Sequence, residues 1–101
     1  MGLCKVEVTN DQVMAVLSGQ IYLNEAAKLR EEMMGFLHRG FHSFYISLAD
    51  VDYLDGSGLG VLIALKKRAL QNGGDLILVG TNPFIRDLLE TTRLTKVFEI
   101  H

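Results

Sequence analysis

The 101-residue sequence has one cysteine, one proline and no tryptophan. A lone cysteine, Cys4, excludes an intramolecular disulfide, and it has no companion ligand at metal-site spacing. Such cysteine usage suits a reducing cytoplasm, the expected compartment. Long apolar runs are also missing. The longest, Leu59 to Leu65, is far short of the ~20 residues of a membrane span. Residues Met1 to Lys5 lack the basic region and apolar run of an export signal, and Val6 stands where myristoylation needs Ser or Thr. Excess positive charge is absent as well. Ten Lys and Arg face twelve Asp and Glu, a net charge of -2, so nothing drives binding to nucleic acid or anionic lipid.

The residues present describe one globular domain over 1–101. Hydrophobic residues make up 49% and charged residues 22%, outside the range of disordered chains. At this size folding removes roughly 65% of the unfolded surface from water, enough for a core without staples. No linker, repeat or low-complexity tract divides the chain.

Periodicity orders the elements. Lys5 to Ser18 reads as a hairpin, with Asn10-Asp11 at the turn and Val13, Ala15 and Leu17 on one face. Gly19 closes the second strand, or Ile21 extends it. Asn24 is expected to cap a helix carrying Ala26, Leu29, Met33 and Phe36 or Leu37, which stops at Arg39-Gly40. Ser43 to Leu48 reads as a central strand and Asp50 to Gly58 as a connection. Ser57 to Gln71 forms a second helix, whose Lys66, Lys67 and Arg68 read as a solvated face. Asp75 to Val79 reads as a strand covered on both faces. Asn82 caps a third helix with Pro83 in its first position, and Phe84, Ile85, Leu88 and Leu89 form its buried stripe. Thr95 to Ile100 is the last strand. A hairpin followed by alternating helices and strands predicts an α/β fold with a mixed, largely parallel sheet and helices packed on it. Function in such sheets gathers at the carboxyl ends of strands.

One segment stands out there, Asp55-Gly56-Ser57-Gly58-Leu59-Gly60. Ser57 is placed to cap the second helix, and free amides at a helix start suit an anion. The same residues are also ordinary turn chemistry. Gly60, inside the first helical turn, costs ~1 kcal/mol relative to alanine. That cost is understandable if a neighbouring strand or a partner approaches the backbone. Sharper motifs fail. A dinucleotide fingerprint starting at Gly56 or Gly58 would need glycine at Val61 or Ile63, and no Gly-Lys-Ser/Thr loop exists. The nucleophile elbow would need glycines at Asp55 and Leu59. His38 and His42 flank a Gly-Phe break and are expected in solvent, while His101 is expected to be mobile. No histidine lies in the motif, so Ser57 lacks a base for nucleophilic catalysis, and neither enzyme activity, cofactor nor metal is expected.

Taken together, these blocks resemble the STAS domain family of anti-sigma factor antagonists and sulfate-transporter tails. The resemblance runs through Leu17-Ser18-Gly19-Gln20-Ile21, Asp50 to Asp55, Ser57-Gly58-Leu59-Gly60, Gly73-Gly74-Asp75-Leu76 and Leu94 to Phe98. It implies a binding module that engages an anti-sigma factor with serine kinase activity and releases a sigma factor. Phosphate on a loop serine would then break the complex. The implied partner surface is Tyr22, Leu23, Asn24, Asp55, Gly56, Ser57, Gly58 and Leu59. Two residues depart from the family pattern. The usual phosphoacceptor position is Gly56, leaving Ser57 as the loop's serine, and Tyr22 replaces a family aspartate. The family also ends in a further helix, expected here to be missing or very different. The alternative is a STAS subunit of a larger signalling or transport assembly without phosphoswitching. Self-association is compatible with either. Some family members bind nucleotides, but no phosphate-binding lysine supports that here.

Overall fold

A computed structural model describes residues 2–101, with side chains from Lys5 onward. Met1 and the side chain of Cys4 therefore lie outside the described residues. The order is β1 (Gly2–Thr9), β2 (Gln12–Ile21), α1 (Leu23–His38), β3 (Ser43–Leu54), α2 (Gly56–Gln71), β4 (Asp75–Val79), α3 (Pro83–Thr91), a 3-10 turn (Leu94–Lys96) and β5 (Glu99–Ile100). The β1–β2 hairpin turns on Asn10 and Asp11, both at positive φ, as a two-residue turn that matches strand twist requires.

The five strands lie in sequence order. β1 pairs antiparallel with β2, and every later pair is parallel. Three right-handed crossovers stepping one way across a sheet put α1, α2 and α3 on the same face. That face carries Val13, Ala15 and Leu17 of β2, Phe44, Ile46 and Leu48 of β3, and Leu76 and Leu78 of β4, all buried. The helices meet it with Ala26, Leu29 and Met33, then Leu62, Leu65 and Ala69, then Ile85 and Leu89. Each large aliphatic side chain buried there contributes about 1.5–3 kcal/mol. Among the described residues no helix covers the opposite face, so β4 is covered on one face and not on two. Ile77 and Val79 there are only half-buried. Lys5, Glu7, Met14, Val16, Ser47 and Val79 share a shallow trough on that side.

β3 corrects the expected connection at Asp50 to Gly58, because the strand runs unbroken to Leu54. It does so with two irregularities against β2. Val16 pairs with Ser47 but Ser18 with Asp50, and Gly19 pairs with Val51 but Gln20 with Tyr53. Each step places one extra residue in β3, which is a β-bulge. Regular alternation from Phe44, Ile46 and Leu48 would aim Asp50 and Asp52 into the core. The first bulge reverses the alternation, so Val51 points in and Asp50 out. The second restores it, so Leu54 points in while Asp52 and Tyr53 stay exposed. Asn82 holds the distorted strand. Its side-chain amide donates to the carbonyls of Ala49 and Val51 at 3.1 and 2.8 Å, while its Oδ1 accepts from Ile85 N–H at 2.9 Å. The expected cap of α3 therefore also fastens β3.

Other expectations change with long-range contacts. Lys66 is buried, with Nζ 2.5 Å from Asp75 of β4 and 3.3 Å from the Leu76 carbonyl. Only Lys67 and Arg68 of the basic run are solvated. The Asp75 carboxyl is pushed up by burial. The Lys66 hydrogen bond, the Leu76 N–H and the Lys66 charge outweigh this and hold it below its usual range. His42 is half-buried, with Nδ1 enclosed and unpartnered. The expected strand at Thr95 shortens because Arg93 takes a left-handed conformation, φ 61°, and starts a 3-10 turn. His101 is tied down: its N–H donates to the Leu78 carbonyl and its own carbonyl accepts from Gly80 N–H. Among the described residues, no helix is long and apolar enough to cross a membrane.

Candidate functional site

Strands β2, β3 and β4 all end at the same sheet edge, and each hands over to a helix within a few residues. Ile21 pairs with Leu54, and Asp55 N–H donates to the Ile21 carbonyl, so the starts of α1 and α2 lie side by side. Tyr22 and Asp55 are their N-caps.

At α2, Asp55 does the capping. Its Oδ1 accepts from Gly58 N–H at 3.1 Å and from the Ser57 hydroxyl at 2.5 Å. The Ser57 hydroxyl first, then the Gly58 amide, hold the Asp55 carboxyl below its ordinary range. The expectation that Ser57 caps the helix is thus reversed. Ser57 is the second helical residue, and its hydroxyl donates to the stronger, ionised acceptor one position ahead of the helix. At α1 the cap moves from Asn24 to Tyr22. The phenol makes no capping bond, and Glu25 instead accepts from Tyr22 N–H at 3.0 Å, half of a capping box. Asn24 and Leu23 sit exposed in the first turn.

The glycines divide by role. A Cβ on Gly58 would stand 2.4 Å from Leu54 Cδ1 and 3.2 Å from Ile21 Cγ2. Gly58 therefore lets α2 start close against the ends of β2 and β3. A Cβ on Gly56 or Gly60 would meet nothing within 4 Å. The expected close approach at Gly60 by a neighbouring strand is corrected: within the chain that demand falls on Gly58. Gly58 and Leu59 are buried and shape the loop from behind, whereas Gly56 is exposed.

The sequence reading missed two aromatic rings. Tyr53 lies between Tyr22 and Phe84, with centroids 5.4 and 5.9 Å apart. The three are 40–46% exposed, so Phe84 does not belong to the buried stripe of α3. The available signal was positional: each ring stands at a strand-to-helix junction. Among the described residues, no group of three or more His, Cys, Asp or Glu could hold a metal.

The STAS domain sequence model matches residues 4–101. An anti-sigma-B factor antagonist of Staphylococcus epidermidis is 26% identical over 95 residues, covering 93% of this chain and 88% of that protein. The crystal structure of an anti-sigma factor antagonist from Mycobacterium paratuberculosis superposes with a TM-score of 0.83 at 24% identity, covering 96% of this chain and 82% of the other. The Bacillus cell fate determinant SpoIIAA in its phosphorylated form gives 0.79 at 18% identity, covering 96% and 89%.

Proposed function

The chain belongs to the STAS domain family, and from that premise we propose that it is an anti-sigma factor antagonist. It binds an anti-sigma factor with serine kinase activity and thereby releases a sigma factor. The observation that carries this is the match to a named antagonist along 93% of the chain, spanning the whole α2 loop. The contact surface is Tyr22, Leu23 and Asn24 of α1 with Asp55, Gly56 and Ser57 of α2, supported from behind by Gly58 and Leu59. The work is done in a reducing cytoplasm by binding and not by turnover. With the Asp55 carboxyl held below its ordinary range, it is a poor base for the one hydroxyl it contacts.

Control by phosphate is a separate matter. The family acceptor position holds Gly56, with open space around it. Phosphate on Ser57 would break its bond to Asp55 and add charge beside an ionised carboxylate, against a favourable helix start. The complex is accordingly governed by abundance, without a phosphoswitch. The test combines this chain with the kinase-type anti-sigma factors of its own genome and ATP, reading binding by calorimetry and phosphate over residues 52–66 by mass spectrometry. A stable complex and a bare Ser57 are expected, with phosphate incorporation in Gly56→Ser. Failure of every such protein to bind would overturn the antagonist reading. It would favour the second reading, a subunit of a larger assembly, for which the glycine at position 56 also speaks.

A further inference from the structure

The strongest unabsorbed feature is the aromatic row Tyr22–Tyr53–Phe84 and the charge around it. Residues 20–25, 49–57 and 80–87, which build this sheet edge, contain Glu25, Asp50, Asp52, Asp55 and Asp87 against one cation, Arg86. The whole chain carries only -2, so the rest of the molecule is net positive. Arg86 reaches the Thr81 hydroxyl at 3.4 Å.

An anion is not what this edge awaits. Each helix start is already answered by a side chain, Glu25 at Tyr22 N–H, Asp55 at Gly58 N–H and Asn82 at Ile85 N–H. Asp50 and Asp52 are different. They cap nothing, form no ion pair among the described residues, and reach solvent only because of the two bulges in β3. Tyr53, the next residue along the strand, is exposed between its two aromatic neighbours. Bulges re-aim side chains beside functional sites, and here they turn two carboxylates outward on the strand that carries the exposed ring. Such a surface attracts guanidinium groups twice over, through carboxylates and through ring faces.

We infer that this edge docks a protein surface bearing arginines set among apolar side chains, with Tyr22, Tyr53 and Phe84 as anchors and Asp50 and Asp52 as the charges that select it. The inference deepens the proposed function by giving the partner's chemistry, and it rests on that reading only for placing a protein here.

The test uses the full chain, isotope-labelled, and three amphipathic 15-residue helical peptides with one apolar face. Their polar faces carry arginine, lysine or glutamate. The arginine peptide is expected to shift amides around residues 22–24, 52–55 and 83–85, the lysine peptide to bind more weakly, and the glutamate peptide not to bind. The double change Asp50→Asn and Asp52→Asn, both exposed and harmless to folding, should weaken arginine-peptide binding about tenfold. Phe84→Ala should weaken it in the same direction. Equal binding of the glutamate peptide, shifts confined to the trough of Lys5, Glu7, Met14 and Val16, or no shift at millimolar peptide would overturn the inference. So would concentration-dependent growth in sedimentation that Asp52→Asn abolishes, because the occupant would then be the basic side of a second copy. Because no anti-sigma factor enters this experiment, its failure is distinct from failure of the proposed function.

Discussion

The two ends of α2 are both fastened by an aspartate, in opposite ways. At the start, the Asp55 carboxylate bonds only to residues two and three positions ahead, in an open loop. Near the far end, Lys66 reaches across to Asp75 on another element, with its side chain 10% exposed and that of Asp75 39%. The first arrangement organises a surface and ties down little else. The second joins helix to sheet, beside a tight seam where Gly74 packs on His42. The contrast separates the part of α2 that can vary with a partner from the part that the fold requires.

The seam should give the largest effect. A Cβ on Gly74 would fall 1.7 Å from the His42 carbonyl oxygen, which is backbone and cannot swing aside. Gly74→Ala should cost more than about 3 kcal/mol in denaturant unfolding, or prevent folding. Lys66→Ala comes next. Losing one member of a buried pair costs about 3–5 kcal/mol, and the partial exposure of Asp75 should reduce this to about 2. The pair also sets a pH response. Because the folded Asp75 carboxyl is held below its unfolded value of about 3.9, its contribution is present above that value. It is lost as pH falls through the folded value. Stability measured from pH 7 down to 3 should therefore drop, and Lys66→Ala should flatten that drop.

Asn82→Ala tests the joint between β3 and the site. It removes a helix cap and the side-chain donor to the Leu48, Ala49 and Val51 carbonyls, so a loss of about 1–2 kcal/mol is expected. Altered amide shifts at Ala49 and Val51 should accompany it. The smallest effect should have the opposite sign. Gly60 lies in open space within α2, so Gly60→Ala should raise stability by about 0.5–1 kcal/mol. If it also weakens the complex with the anti-sigma factor, the exposed backbone at Gly60 is a contact.

Much of this architecture was legible beforehand. The hairpin turn, the parallel order, the Asn82-Pro83 start and the buried positions of α1 follow from local chemistry and spacing. What escaped depends on distant partners. Asp50 to Leu54 read as a loop because two bulges break the alternation by which strands are recognised. Lys66 read as solvated because its acceptor lies nine residues on, across a turn. Tyr22 went unnoticed as a cap because tyrosine has no capping chemistry, and Glu25 supplies it from within the helix. The glycine-rich start of α2 and Tyr22 beside it stand out in the sequence, but the meeting of Tyr53 with Phe84 does not, since it exists only through the fold.

The paired bulges of β3 have a consequence for how such a chain can diverge. One inverts the strand's inside and outside, and the next inverts them back, so the stretch between them is insulated from the packing on either side. Asp50, Asp52 and Tyr53 can be exchanged for other side chains without repacking a single core position. Duplicated copies of such a gene could drift apart at this patch alone, each keeping the same interior while losing affinity for the other's partner. Specificity would then be rewritten at three letters of one strand.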